Sequence, residues 1–352
     1  SVGVRGAATP LGAQESDPLP TAEQIRAAED APLFASHEPL VVTLETDVDR
    51  LKDERDEDRP PQPARLVYLA PDGAEVALDL EVEPRGHFRR EKRNCTFPPV
   101  RLDFDKDDPA LVGTVFEGEN RLKVVTPCRE GRESYQRYVF REYAIYRMMN
   151  QLHEVSFRVR LLDLTYRDTS SERDPISVWA FVIEDDDRMA ARADAAKAEL
   201  PQLHPLAPGG EYVTLIALFQ FMIGNTDWDP TIFHNVELVR TRDARYLTVP
   251  YDFDFSGAVD PPYASPDPDF VIDDVRERMY RGFCLETVDL DALVARFVER
   301  RDAMVEAVRA IPRWDEGDRE DFLEYVLDFY DIVESPSRRA REIEEVCRRW
   351  KG

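Results

Sequence analysis

Separated stretches of the chain carry side-chain oxygens of the kind that bind metal ions. An apolar segment ending in FMI is followed by Asp227 and, eight residues later, by Asn235. Asp252 and Asp254 follow the alternating segment VELVRTRDARYLTVP. Hard divalent cations such as Mg²⁺ prefer oxygen ligands and usually take one or two carboxylates together with substrate phosphates. These residue types therefore predict metal-assisted phosphoryl transfer.

The roles of these residues follow from what phosphoryl transfer requires. One carboxylate orients or deprotonates the attacking hydroxyl, and a metal bridges the terminal phosphates. Asp227 suits the first role, although an aspartate here also suits the capping of a turn. Asn235 and Asp252 are candidate metal ligands, and His234 is expected beside the metal rather than on it. Asp254 either binds metal with Asp252, because residues two apart on a strand share a face, or caps the next turn.

A basic side chain must also hold the phosphates, and lysine is scarce in this chain. Lys123, in the strand-like segment RLKVV, is the main candidate, with Glu142 of the following helix as its acidic partner. Arg101 is the substitute, because strand lysines often lie on a solvated face. The run RGHFRR is interpreted as a solvated charge run, with an anion-binding patch as the alternative.

The elements that must position these groups fall into three parts. Residues 1–38 are polar and rich in Ala and Pro, and are expected to form a flexible lead-in with an export-signal remnant around LGAQ. Residues 39–184 contain short strands, the turn APDG, and one helix in SYQRYVFREYAIYRMMNQL. Residues 185–352 are mainly helical, with a solvated helix over DDDRMAARADAAKAEL and the hairpin that precedes Asp252.

Composition excludes some classes of protein and suggests a compartment. The net charge of −25, from 71 acidic and 46 basic side chains, disfavours a nucleic acid partner. No apolar window is long enough for a membrane span. The four cysteines have no metal-binding spacing and fall two to each half of the chain, which suits disulfides Cys95–Cys128 and Cys284–Cys347 in an oxidising compartment. Free buried thiols are the alternative.

Six short motifs occur in order between Arg85 and Gly257. They are RGHFRR, PPVRLDF, REYAIYR, WAFVIED, GNTDW with a following HN, and YDFDFSG. This ordered set resembles the spore-coat CotH family of atypical kinase-like proteins. Two features depart from ordinary kinases: the gap from Asp227 to Asn235 is longer, and no Gly-rich phosphate loop is visible near EPRGHFRREKRN.

The resemblance implies an α+β chain with a bilobal protein-kinase-like fold, with a β-rich N-terminal lobe containing one helix and a mainly helical C-terminal lobe. ATP and Mg²⁺ or Mn²⁺ would lie between the lobes. The γ-phosphate would pass to a Ser, Thr or Tyr hydroxyl of a protein or to a related small acceptor. By position, Asp227 is the catalytic aspartate, and Asn235 and Asp252 bind metal. WAFVIE is the hinge that meets adenine, and it ends at Glu184.

Other functions remain open on the sequence. An acidic, arginine-rich chain with this pattern also suits an inactive kinase-like envelope or structural protein that serves as an interaction platform. Enzymes of related sequence pattern can instead transfer AMP or activate glutamate. The expected location is outside the bacterial cytoplasm, in the periplasm, at the cell surface or in the medium.

Overall fold

A computed structural model describes residues 17–350 of the chain, except residues 57 and 205–206, and shows an α+β protein. Its first seven strands are β1 Leu40–Thr46, β2 Gln62–Leu69, β3 Glu75–Pro84, β4 Val100–Asp103, β5 Arg121–Val125, β6 Val159–Asp168 and β7 Ile176–Ile183. They close into a barrel in the order β1-β2-β3-β4-β5-β7-β6. The predicted bilobal protein-kinase-like fold is wrong, because parallel pairing of β1 with β6 joins the two edges of the sheet.

The barrel interior is filled by apolar side chains. Burial alternates along β2, as expected where one face of a strand points inward. Leu66, Leu80, Leu102 and Leu122, on four neighbouring strands, belong to one buried apolar cluster. The predicted APDG turn joins β2 and β3, where the N–H of Gly73 donates to a backbone oxygen at 2.8 Å.

The described helices are α1 Ala22–Glu29, α2 Val48–Asp53, α3 Gln136–Leu152, α4 Asp186–Arg192, α5 Gly210–Met222, α6 Leu290–Arg309, α7 Glu316–Val333 and α8 Pro336–Arg339. Single 3₁₀ turns occur at Pro32–Phe34, Pro109–Leu111 and Glu133–Tyr135, and a π turn at Ala340–Glu344. Helix α3 packs against β6 and β7 on one side and against α6 and α7 on the other. No helix in this part of the chain has the length and apolar character needed to cross a membrane.

A second sheet lies near the candidate site. It contains β8 Ala195–Lys197, β9 Val236–Thr241 and β10 Tyr246–Pro250 in the order β10-β9-β8, all antiparallel. The predicted hairpin is confirmed as β9 and β10. The solvated helix predicted over DDDRMAARADAAKAEL is wrong, because α4 buries Met189 and Ala190 and the chain then forms β8.

The lead-in is described in its second half. Residues 1–16, which include LGAQ, lie outside the described residues. The rest contains α1, whose last carbonyl, at Glu29, accepts a hydrogen bond from Arg158 at 2.9 Å. The carbonyl of Pro20 accepts one from Arg242 at 2.8 Å. These two arginines attach the lead-in to the segment just before barrel strand β6 and to the turn of the β9–β10 hairpin.

Both predicted disulfides are confirmed. Cys95 and Cys128 are bonded across 33 residues, and Cys284 and Cys347 across 63 residues. The first disulfide joins the segment between β3 and β4 to the residues after β5. The alternative of free buried thiols is therefore wrong.

Glu119, just before β5, is a buried carboxylate with an incomplete set of partners. It has no exposed surface, and neither carboxylate oxygen has a hydrogen-bond partner among the described residues. Arg188 Nε lies 3.5 Å from Oε1. Burial raises the pKa of Glu119 to about 7, although Arg188 opposes the shift. Between pH 4.5 and about 7, Glu119 is therefore mostly protonated in the folded state and mostly ionised in the unfolded state.

This difference makes stability depend on pH. The pKa of Glu119 is higher in the folded state than in the unfolded state. Its protonated carboxyl group therefore makes its full contribution to the free energy of unfolding below pH 4.5, and this contribution is lost as pH rises through about 7. Glu119→Gln is expected to remove this loss. Its free energy of unfolding should exceed that of wild type by on the order of 2 kcal/mol at pH 8, but not at pH 4. Urea unfolding at both pH values measures the difference. Glu117→Gln, at an exposed position, is the control and should behave as wild type. If the free energy of unfolding changes equally between pH 4 and pH 8 in Glu119→Gln and in wild type, the account is contradicted.

Candidate active site

The loop that carries Asp227 begins where helix α5 ends. Gly224 has φ +64°, and a Cβ there would lie 2.0 Å from the hydroxyl oxygen of Tyr325. Only glycine fits this position, because of both the left-handed backbone and the close approach. The N–H of Asp227 then donates to the side-chain oxygen of Asn225 at 2.9 Å. These contacts fix the path of the chain into Asp227.

Both carboxylate oxygens of Asp227 are hydrogen-bonded. Oδ1 lies 2.8 Å from His234 Nε2, and Oδ2 accepts from Asn235 Nδ2 at 3.0 Å. Two backbone hydrogen bonds of 3.0 Å between Asp229 and His234 draw the ends of the loop together, which closes the long gap from Asp227 to Asn235. The Asp227 side chain is still 40% exposed. A substrate hydroxyl can therefore reach a carboxylate whose orientation is fixed.

Asn235 connects Asp227 with the segment after β10. Its Nδ2 also donates to the backbone oxygen of Asp227 at 2.7 Å, while its Oδ1 makes no hydrogen bond to any described residue. The backbone oxygen of Asn235 accepts from the N–H of Tyr251 at 3.1 Å, one residue before Asp252. Contacts of Asn235 thus join the loop of Asp227 to the segment that carries Asp252.

Asp252 lies beyond the hairpin rather than on it. Strand β10 ends at Pro250, and Asp252 has φ +60°, in the left-handed region. The expectation that Asp252 and Asp254 share one face of a strand is therefore wrong. The N–H of Asp252 donates to the hydroxyl of Tyr146 at 3.0 Å. Within the described part of the chain, its carboxylate has no hydrogen bond or ion pair.

Asp254 is buried in a cluster with Glu142 and Arg89. Arg89 Nη1 lies 3.8 Å from Asp254 Oδ2 and 3.9 Å from Glu142 Oε2. Tyr263 donates its hydroxyl hydrogen to Asp254 at 3.0 Å. Burial, with the charge of Asp252 nearby, raises the pKa of Asp254 to about 7 against the effect of Arg89. Burial and the charge of Asp254 also raise the pKa of Glu142. Two buried carboxylates thus share one arginine, and both are more readily protonated than an exposed carboxylate.

Arg89 reaches this cluster because its segment is attached to the end of β5. The side chain is 10% exposed, and Nη2 donates to the backbone oxygen of Thr126. The Cys95–Cys128 disulfide and a 2.9 Å hydrogen bond from the N–H of Thr96 to the oxygen of Cys128 join the same two segments. The interpretation of RGHFRR as a solvated charge run is wrong for Arg89.

Lys123 has a different partner from the one predicted. Its Nζ lies 2.6 Å from Asp186 Oδ1, at the start of α4, and 5.0 Å from the ring centroid of Tyr251. The predicted pair of Lys123 with Glu142 is wrong, because Arg89 is the cation beside Glu142. Lys123 nevertheless lies at the site, since Tyr251 directly precedes Asp252.

Arg101 and Glu184 are held by neighbouring residues. Arg101 forms an ion pair with Glu83 on the adjacent strand. Glu184 is fully buried, with Arg192 Nη2 2.9 Å from its Oε2. The N–H of Arg158 donates to the same oxygen at 3.0 Å. The letters WAFVI form the end of barrel strand β7, so the predicted hinge is part of the barrel.

Sequence reasoning missed three members of this site. Arg89 belongs to the first of the six motifs, but a run of arginines does not show which one is buried. Asp186 lies in the segment predicted as a solvated helix, whereas its carboxylate pairs with Lys123. Tyr263 occurs in PPYASPDPDF, where nothing in the sequence distinguishes it.

The available oxygens suit a hard divalent cation shared with a substrate. Asn235 Oδ1 and the Asp252 carboxylate have no described protein partner, and Asp254 follows two residues later. Among the residues that the structure describes, no three or more His, Cys, Asp or Glu side chains form a group that could hold a metal. Mg²⁺ commonly takes one or two carboxylates and completes its shell with phosphate oxygens and water, and these donors fit that manner of binding.

Comparison with known proteins adds no relative to this description. No protein-family model and no curated protein matches the chain.

Proposed function

We propose that this protein is a metal-dependent phosphotransferase that moves the γ-phosphate of ATP to a hydroxyl group of a protein or of a related small acceptor. The observation that carries the proposal is the Asp227 carboxylate, exposed yet fixed at both oxygens by His234 and Asn235. Asn235 joins it to the segment of Asp252, whose carboxylate makes no hydrogen bond or ion pair to any described residue. The resemblance of six ordered motifs to the CotH family supports the same proposal.

The chain's own residues take distinct parts in this reaction. Bound ATP with Mg²⁺ or Mn²⁺ supplies the transferable phosphoryl group and the positive charge that offsets its oxygens. Asn235 Oδ1, Asp252 and Asp254 would hold the cation. Asp227 orients the acceptor hydroxyl and accepts its proton, while His234 fixes the carboxylate for that contact.

Two other side chains support the site without reaching the acceptor. Arg89 balances part of the negative charge of Asp254 and Glu142 and so keeps these carboxylates in place. Lys123 is the cation proposed for the phosphates, since it lies over the ring of Tyr251, the residue before Asp252, whereas Arg101 pairs with Glu83 on the neighbouring barrel strand.

The proposed location is outside the bacterial cytoplasm. Two disulfides support an oxidising compartment, because such bonds form and persist there. One of them joins the two segments that hold Arg89, so an oxidising environment also favours the arrangement of the site.

Intact-mass analysis tests the reaction. The protein is incubated with ATP and Mn²⁺ together with Ser-, Thr- and Tyr-containing peptides, and the expected product gains about 80 Da, one phosphoryl group. A larger addition would indicate transfer of AMP, and an addition with the mass of glutamate would indicate an enzyme that activates glutamate. EDTA is expected to stop the reaction.

Thermal unfolding separates an enzyme from an interaction platform. ATP with Mg²⁺ at a hundred times its Kd is expected to stabilise the native state by about 2.7 kcal/mol, since a ligand of the native state alone raises its stability by mass action. No change in Tm at millimolar nucleotide, together with no mass change, would favour the platform and remove the proposal.

A further inference from the structure

Two of the few lysines of this chain meet at one carboxylate. The sequence has six lysines among 46 basic residues. Lys123 on β5 and Lys197 on β8 both approach Asp186. Lys123 Nζ lies 2.6 Å from Asp186 Oδ1, and Lys197 Nζ lies 3.8 Å from Asp186 Oδ2. The barrel and the second sheet thus each contribute an ammonium group to the same carboxylate.

The lysine pair adjoins the candidate metal ligands. Lys123 lies over the ring of Tyr251, which directly precedes Asp252. Lys197 also lies 3.7 Å from Glu237, two residues after Asn235. The side chains of both lysines and of Asp186 remain partly exposed, at 26%, 32% and 18%. An anion bound beside Asp252 could therefore contact both ammonium groups, because the carboxylate that they share, Asp186, is accessible to solvent.

We infer that Asp186 competes with the phosphates of the nucleotide for Lys123 and Lys197, and thereby sets the affinity of the site. The inference rests on the proposed function and adds two residues to it, Lys197 as a second phosphate-binding cation and Asp186 as its built-in competitor. Lysine suits this exchange, because its ammonium group is a compact charge on a flexible stem and can turn from one oxygen to another. A partly exposed ion pair is weak, so exchanging it for phosphate oxygens costs little.

The neighbouring Asp187 provides a matched control. It differs from Asp186 by one position on the same short helix, is exposed, and makes no ion pair within the described residues. Asp187→Asn removes the same charge from the same region without freeing a lysine. Any general effect of net charge on anion binding therefore appears equally in both variants.

Titration calorimetry with inorganic triphosphate, and separately with ATP and Mg²⁺, tests the inference. Asp186→Asn is expected to bind both probes roughly fivefold more tightly than wild type, the size expected from losing a partly exposed competing ion pair. Asp187→Asn should stay within twofold of wild type. Adding Lys197→Met to Asp186→Asn should cancel the gain.

The outcomes separate this inference from the proposed function. Equal affinities of the Asp186→Asn and Asp187→Asn variants for triphosphate, or weaker binding by the former, would overturn the role of Asp186. An undiminished gain in the Lys197→Met double variant would overturn the role of Lys197. If instead ATP with Mg²⁺ binds none of the proteins while triphosphate still distinguishes Asp186→Asn from its control, the proposed function fails and the lysine pair stands as an anion site.

Discussion

Asp227→Asn is expected to lower phosphoryl transfer by roughly 100- to 10,000-fold, the usual contribution of a positioned general base. Asparagine keeps the shape of the side chain but cannot accept the hydroxyl proton. The aspartate is 40% exposed, so its replacement should leave Tm within a few degrees of wild type. Initial rates at saturating ATP and Mn²⁺, with Tm of each sample, measure both effects.

The control for this variant is Asp269→Asn. Asp269 is exposed, and its replacement removes one negative charge without touching the loop that holds His234 and Asn235. It should transfer phosphate at the wild-type rate. Full activity of Asp227→Asn would exclude a catalytic role for that carboxylate, and a large fall in its Tm would show a structural role instead.

Arg89→Met is expected to lower the free energy of unfolding by about 3–5 kcal/mol, because removing one partner of a buried ion cluster leaves the others uncompensated. Here Asp254 and Glu142 would both lose the arginine that lies 3.8 and 3.9 Å from their oxygens. Methionine fills a similar volume, so the effect isolates charge from packing. Urea unfolding at pH 8 is the measurement.

Two further variants show whether charge is the cause. Arg93→Met, four residues along the same segment, removes an arginine whose side chain is 80% exposed, and it should change stability by less than about 0.5 kcal/mol. Glu142→Gln added to Arg89→Met should recover part of the loss, since it removes one of the uncompensated charges. If Arg89→Met is as stable as Arg93→Met, the buried cluster does not have the energetic role assigned to it.

Local patterns in the sequence predicted those parts of the structure that depend on neighbouring residues. The hairpin of β9 and β10 has alternating strands around a short charged turn, and α3 has apolar residues at helical spacing. Both form as predicted. The pairing of Cys95 with Cys128 and of Cys284 with Cys347 also agrees with the division of the chain into halves.

The barrel could not be predicted in the same way. It closes through parallel pairing of β1 with β6, in which Leu40 lies opposite Leu162. Such a pairing between distant strands leaves no local signal, because each strand alternates in burial whether its sheet is open or closed. The prediction of a bilobal kinase-like fold followed from family resemblance, and no residue in the strands indicates that the sheet closes.

The choice of cation beside Glu142 also depends on distant contacts. Glu142 was expected beside Lys123 because its helix follows the strand of Lys123, but Arg89 reaches Glu142 from a segment held by the Cys95–Cys128 disulfide. Lys123 pairs instead with Asp186, the first residue of α4. The metal-ligand roles of Asn235 and Asp252 stay predictions, while the arrangement of the positive charges could be described only from the structure.

Anomalous diffraction from a crystal containing Mn²⁺ and a non-hydrolysable ATP analogue tests the central claim most directly. The account predicts a Mn²⁺ peak bonded to the Asp252 carboxylate and to Asn235 Oδ1, at about the 2.0–2.2 Å expected of oxygen ligands to such ions, with the terminal phosphate on its far side towards Asp227. A nucleotide bound elsewhere, or a Mn²⁺ peak remote from Asp252 and Asn235, would contradict it.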